Sequence, residues 1–281
     1  MEQSRLLDLR ANLKNTIEQG NWEDVYDLLV SLRDSGDIFE LFPILKELDC
    51  RETIDGVNHK NVLEHTYEVL RNLRDILTKE YEENGDDYYN DGDNALILGT
   101  LLHDIGKAKT KKFDKVKKTW TYYAHEEVGY EIAKPMLDKL DLSKEDEEVI
   151  LTVIRYHQLP GQLEEIGDKG LRRFCSKVGL HLREIMLIAK ADSTSNNPMK
   201  VLKCRQKVDD LYEKIKDFIK REEARILRVD ITNADIVALL GVDVRYAAGI
   251  KEMLKELVLT NIIINSKEEI TNYLKRRFKN E

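Results

Sequence analysis

Long apolar runs are missing from this sequence. None approaches the length of a membrane span, and the opening MEQSRLLDLR is charged where a signal peptide would be greasy, so the expectation is a cytoplasmic protein without membrane contact. Cysteine is scarce: Cys50, Cys175 and Cys204 are odd in number, far apart and without a CxxC pair. That argues against a zinc ribbon or dithiol motif and predicts reduced core residues. Proline is rare, with four in 281 residues interrupting a helical periodicity that runs nearly throughout. Positive charge is in deficit, 45 Lys and Arg against 53 Asp and Glu for a net −8. This speaks against a whole-surface affinity for nucleic acid but leaves room for one local basic strip, GKAKTKKFDKVKK.

What is present is apolar residue at helical spacing. Hydrophobic residues make up 42% of the chain, enough for a sizeable core in one large domain or a domain with an appendage. In NVLEHTYEVLRNLRDIL, Val62, Thr66, Val69, Leu73 and Ile76 follow the three-four spacing of an amphipathic helix, with His65 beside that stripe. DNALILGTLLHDIG is apolar all round between an Asp/Asn start and a Gly stop, which predicts a short central helix buried by its neighbours. SKEDEEVILTVIRYHQLPG opens with Ser143 and Asp146 in capping-box positions, carries Ile150, Val153, Ile154 and then His157 on one face, and stops at Pro160-Gly161. LREIMLIAKADS puts Ile185, Ile188 and Asp192 on one side. A long helix from about Pro198 and short helices from about Ile231 follow, with TNAD and SKEE as starts; KKTWTYYAHE reads as a small hairpin.

Five polar residues, His65, His103, Asp104, His157 and Asp192, thus fall at inward positions among aliphatic neighbours. A carboxylate there loses several kcal/mol of hydration unless compensated, and Asp104 has no arginine in its own helix to do so. A divalent cation would satisfy both aspartates. Imidazole nitrogen with carboxylate oxygen suits Zn, Mn, Fe, Co or Ni better than Ca. His125, which opens the face continued by Val128 and Ile132, makes a sixth ligand, and six ligands of this mix can hold two metals.

Each residue also has a plainer reading, because a single histidine on an apolar face is more often a hydrogen-bonded core residue than a ligand. The collective pattern reverses that preference. His59 and His181 stay near it, His181 lying outside the cluster. The lysine run is a solvated strip or, alternatively, a set of phosphate contacts with Lys107 best placed and Lys109 beside it. Trp120, Tyr122 and Tyr123 either stack a base or pack locally.

In order and wording, NVLEHT, LLHDIGK and AKADS resemble the pattern of the HD-domain metal-dependent phosphohydrolases: a His, a His-Asp pair, and a distant Asp. HEEVG and IRYHQ supply the two further histidines of two-metal members. Within that superfamily, LRDSGDIFELFPILKEL, HKNVLEHT, LLHDIGKAKT and HEEVGYEIAKPML are similar to the part of bacterial CCA-adding tRNA nucleotidyltransferases that follows the catalytic head, and ITNADIVALLGVDVRYAAGIKEMLKEL to their closing segment. No Gly-Ser followed by a spaced Asp-x-Asp strand motif precedes these segments, and VDVRYAAG stands where a Gly-Pro turn is usual. The HD hydrolase site is therefore carried over, and CCA addition is not.

The resemblance implies an all-α fold: an N-terminal helical segment over 1–54, an HD core over 55–200, and a long helix with a helical tail over 201–281. It implies one or two divalent ions (Mn, Ni, Fe, Co, Mg or Zn) on His65, His103, Asp104, His125, His157 and Asp192. Asp104 and Lys107 are the expected catalytic residues, and Lys107, Lys109 and His59 the expected substrate contacts. Two cations about 3.5 to 4 Å apart would activate a water for attack on phosphorus. The expected substrate is a nucleotide or RNA end bearing a phosphomono- or phosphodiester, as for 2',3'-cyclic phosphodiesterases, nucleotidases and phosphatases. The alternatives are a non-catalytic RNA-binding or accessory module and a nucleoside triphosphate or alarmone hydrolase.

Overall fold

The computed structural model describes residues 2–85, 88–90, 92–163, 167–227, 229–259 and 262–278. The chain forms two compact units, Met1–Tyr212 and Glu213–Glu281. In the first, α1 (Glu2–Gln19) and α2 (Trp22–Ser35) lead through the one-turn helices α3 (Ile38–Leu41) and α4 (Leu45–Leu48) to a hairpin of β1 (Thr53–Ile54) and β2 (Val57–Asn58). Then come α5 (Val62–Asn84), α6 (Asp93–Leu102), α7 (Lys107–Thr110), a second hairpin of β3 (Lys112–Asp114) and β4 (Thr119–Thr121), α8 (His125–Leu137) and α9 (Lys144–Tyr156). After these come α10 (Asp168–Val178), α11 (Leu182–Ala191) and the long α12 (Pro198–Leu227), whose residues from Glu213 on belong to the second unit. The fold is all-α, the hairpins being its only strands among the described residues.

Every residue of α6 is buried, as its all-round apolar sequence requires, and α9, α5, α2 and α11 supply the cover. The N-terminal helices are tied to it through polar groups as well: Asn94 donates from Nδ2 to the carbonyls of Ile17 and Gly20, both at 2.8 Å. Those carbonyls lie where α1 ends and have no partner further along that helix, so a buried amide satisfies them. The expected starts of α5 and α9 are in place. Asn61 accepts from the Glu64 amide at 3.0 Å and Ser143 from the Asp146 amide at 3.0 Å.

Several local expectations are corrected. Asp93 does not cap α6; Gly92 occupies that position without a side-chain cap, and Asp93 is buried and ion-paired with Arg183 instead. Gly106 is no left-handed stop, its φ being −64°. It is glycine because a Cβ there would stand 1.9 Å from the His125 carbonyl oxygen, in the heart of α8's first turn. Helix α9 ends at Tyr156, before Pro160-Gly161, which lie in a 3-10 turn over Leu159–Gln162. The second hairpin starts five residues earlier than KKTWTYYAHE, in the lysine strip. The first hairpin was unforeseen although its Asp55-Gly56 turn, with φ of 52° and 78°, is the dipeptide that such turns favour. None of the three cysteines belongs to the core: Cys50 and Cys175 are half-buried and Cys204 is exposed, all as free thiols.

The second unit has its own core. Helices α13 (Asn233–Leu240), α14 (Val244–Leu259) and α15 (Lys267–Phe278) gather Val229, Ile231, Ile236, Ala247, Ile250, Leu254, Ile270 and Leu274. TNAD starts α13 as a complete capping box of Thr232 and Asp235, and Ser266 accepts from the Glu269 amide at 3.2 Å at the start of α15.

Candidate metal centre

Five helix ends converge on one point. His65 sits in the first turn of α5, His103 and Asp104 follow α6, His125 opens α8, His157 closes α9 and Asp192 closes α11. Three of these are C-terminal ends, where unpaired carbonyls and the helix dipole favour positive charge. His103 and His157 answer that local demand directly: each Nδ1–H donates to the carbonyl three residues back, Thr100 at 2.7 Å and Ile154 at 3.0 Å. His125 repeats the device with the Tyr122 carbonyl at 2.9 Å. With Nδ1–H committed to a carbonyl, each ring in its neutral form presents the Nε2 lone pair inward, the tautomer a cation requires.

Asp104, 1% exposed, lies at the focus. Its Oδ2 faces His103 Nε2 at 3.3 Å and His65 Nε2 at 3.8 Å, while its Oδ1 faces His125 Nε2 at 3.3 Å and His157 Nε2 at 3.7 Å. His125 Nε2 and His157 Nε2 are 3.4 Å apart, and Asp192 Oδ1 is 2.8 Å from His65 Nε2. Side-chain donors within 4.8 Å of one another form three overlapping groups: His65, His103 and Asp104; His103, His157 and Asp192; Asp104, His125 and His157. All six expected ligands are thus brought together. Lys107 joins them, its ammonium 2.6 Å from Asp104 Oδ2, so the carboxylate is not without a cationic partner as the sequence suggested. Even so, His103 Nε2 and Asp104 Oδ1 are buried without a hydrogen bond. Buried donors and acceptors are rarely left so, and a coordinating ion is a recognised reason. By this criterion the residues fit a divalent metal.

Charge here is finely balanced. Burial opposes the ionised form of Asp104, but His103 and Lys107 hold its pKa well below the usual carboxylate range. Burial likewise opposes charge on His103, yet the adjoining Asp104 raises its pKa. His157 falls to about 3, first through burial and then through the charge of His103. Asp192 is lowered, burial being outweighed by its hydrogen bond from His65.

His65 differs from the other rings. Lys60 donates to its Nδ1 at 3.0 Å and Thr194 lies 3.4 Å away, so its proton is on Nε2 and points at Asp192. Neither Lys60 nor Thr194 was singled out from the sequence, though Lys60 stands one residue before the Asn61 cap and Thr194 two after Asp192. Other expected site residues lie outside the cluster. His59 uses Nδ1 on the Cys50 carbonyl at 3.0 Å and accepts at Nε2 from the Tyr122 hydroxyl at 2.8 Å, and burial lowers its pKa. Lys109 turns to both carboxylate oxygens of Glu47 at 2.7 Å. Trp120 packs edge-on against Phe113 and His59, whereas Tyr123 is exposed. His181 is the N-cap residue of α11, 3.5 Å from Glu148.

Residues 62–197, the segment that carries all six clustered ligands, match the family model of the HD domain. Over this segment the chain is similar to HD domains. HD domains bind divalent metals and belong to a superfamily of metal-dependent phosphohydrolases. Around this segment the chain is 29% identical over 185 residues to the A-adding tRNA nucleotidyltransferase of Deinococcus radiodurans, an alignment covering 61% of this chain and 39% of that one. It is 30% identical over 139 residues to the CC-adding tRNA nucleotidyltransferase of Thermus thermophilus, covering 49% and 28%. A bifunctional uridylyltransferase/uridylyl-removing enzyme of Legionella pneumophila is 25% identical over 201 residues, covering 66% and 21%. The chain spans well under half the length of each of these relatives. No described helix is long and apolar enough to cross a membrane.

Proposed function

We propose that this chain is a metal-dependent phosphohydrolase acting on phosphomono- or phosphodiesters of nucleotides or RNA ends. The observation that carries the proposal is the division of Asp104: one carboxylate oxygen faces His65 and His103, the other His125 and His157. On this reading Asp104, His65, His103, His125, His157 and Asp192 would hold one or two divalent cations, Asp192 on the side of His65. Bound there, the cations supply Lewis acidity and lower the pKa of a water nucleophile.

The protein's own part is positioning and charge. The three Nδ1–H bonds to backbone carbonyls keep the Nε2 atoms aimed inward at no further cost when a ligand arrives. Lys107 compensates Asp104 at 2.6 Å, and its ammonium is the protein's own cation placed to meet an oxygen of the phosphate. The ring of Tyr122 backs that ammonium at 5.3 Å and is itself braced by the hydrogen bond to His59. To coordinate through Nε2, His65 would have to carry its proton on Nδ1 instead, with Thr194 Oγ1 as the neighbouring acceptor and the Lys60 ammonium drawn back from that nitrogen. The uridylyl-removing function in the name of the Legionella relative supports the chemistry, since a uridylyl group is a nucleotide joined through its phosphate.

A hydrolysis panel tests the proposal: 2',3'-cyclic nucleotides, nucleoside monophosphates, RNA ends and nucleoside triphosphates, each with Mn, Ni or Mg. Cleavage of cyclic or monoester substrates that is lost in Asp104→Ala is expected. Tight metal binding with no cleavage of any of them would leave an accessory module as the better reading.

A further inference from the structure

A second polar cavity lies in the first unit, away from the metal ligands, among α1, the start of α6, the start of α9 and the start of α11. Its volume is about 350 Å³. Among the described residues, Glu18, Glu145, Asp146 and Glu184 line it with Tyr89 and His181, and neither lysine nor arginine does. Glu184 is the unusual member. It is 6% exposed, and its Oε2 is buried without a hydrogen bond. Arg183 spends its hydrogen bonds on Asp93 at 2.6 and 3.2 Å and on Glu80 at 2.9 Å, and reaches Glu184 only as an ion pair at 3.7 Å, on Oε1 and not on Oε2. Lys14 is likewise committed, 2.8 Å from Asp141 and 3.8 Å from Glu18.

A buried carboxyl with one oxygen left without a hydrogen bond, in a cavity whose described lining holds four carboxylates and neither lysine nor arginine, calls for a cationic ligand. The donor spacing selects the kind. Among the described residues, side-chain donors close enough together to hold a metal ion all belong to the Asp104 centre. The cavity's carboxylates are too dispersed for one ion but suit positive groups several ångströms apart on one molecule, and the exposed Tyr89 ring adds a face for an ammonium. We infer that this cavity binds an organic polyamine, with one ammonium against Glu184 and another toward Glu145 or Glu18. Burial pushes the Glu184 carboxyl up, and an adjacent ammonium would oppose that shift by favouring the ionised form.

Spermidine is the probe, titrated calorimetrically into the full metal-stripped chain at near-physiological salt, which screens loose condensation on an acidic surface. Saturable binding to one site is expected. Glu184→Gln should weaken it at least about tenfold, the loss of one charge-assisted hydrogen bond. Tyr89→Ala, at an exposed position where folding is not at stake, should weaken it a few-fold. Asp55→Asn, at an exposed turn elsewhere, should leave it unchanged. Absence of saturable binding would overturn the inference, as would an affinity unaffected by both Glu184→Gln and Tyr89→Ala.

Discussion

The buried helix α6 has a carboxylate at each end, and the two are treated in opposite ways. Asp93, at its start, is closed off by the protein: Arg183 grips both oxygens at 2.6 and 3.2 Å, and the Tyr81 hydroxyl donates at 2.9 Å. Asp104, just past its end, has a lysine on one oxygen and imidazoles around both, yet Oδ1 has no hydrogen bond at all. Burial raises the pKa of Asp93 despite its arginine, while Asp104 is drawn far down. Equal burial therefore does not mean equal purpose. A bidentate guanidinium leaves no room for anything else; a ring of inward lone pairs leaves the final contact to an ion from outside.

The sharpest separation should come from truncating each carboxylate. Asp104→Ala should abolish metal loading by elemental analysis and lower phosphohydrolysis by at least about a hundredfold, with the fold retained. Asp93→Ala should leave the centre its metal but lower stability by about 3 kcal/mol, because a buried guanidinium loses its main partner; denaturant titration reads this directly. In the metal-free protein Asp104→Ala should cost less, about 1 kcal/mol, since Lys107 reaches solvent when released. Equal stability losses at the two ends would break the comparison.

Of this contrast, one end was legible in the sequence. Histidine and aspartate at inward helical positions mark themselves against leucines, so all six clustered residues were identified from periodicity and order. Asp93 was misread as a helix start, because its partner Arg183 lies 90 residues away and no local rule pairs them. Lys109 was expected near substrate on its closeness to Lys107, but two residues along a helix turn it to another face, where Glu47 holds it. The carbonyls that orient His103 and His157 follow from their places at helix ends, three residues after Thr100 and Ile154, whereas the Tyr122 carbonyl, and Lys60 and Thr194 beside His65, depend on loop paths that spacing does not encode. The helical class was readable because four prolines break so little of it.

A pH titration of the metal-free protein sharpens the comparison further. The folded His157 resists protonation down to about 3 against an ordinary 6.5, so below pH 6.5 the unfolded chain binds the extra proton. Stability should rise with pH through that window and fall as pH drops, by at most about 1.4 kcal/mol per unit. The raised pKa of His103 acts above 6.5, where stability should decline as pH climbs through its folded value. His157→Asn should flatten the acid limb alone in urea-denaturation series at stepped pH.

The smallest effect expected is at Lys109. Lys109→Ala should leave hydrolysis unchanged and stability within about 0.5 kcal/mol, as for other exposed pairs. A marked rise in KM would return it to the substrate's path.

The contact at Gly106 has a consequence of its own. Between Asp104 and His125 the chain makes an excursion of twenty residues through α7 and the second hairpin, yet the two ends are brought back main chain against main chain, with no side chain between Gly106 and the first turn of α8. The two sides of the centre are thus held at a gauge set by the backbone. Within the excursion Lys107 and the Tyr122 carbonyl act on Asp104 and His125, but the hairpin between them can change in length and surface without altering that main-chain contact. Gly106→Ala, a single methyl, would widen that gauge.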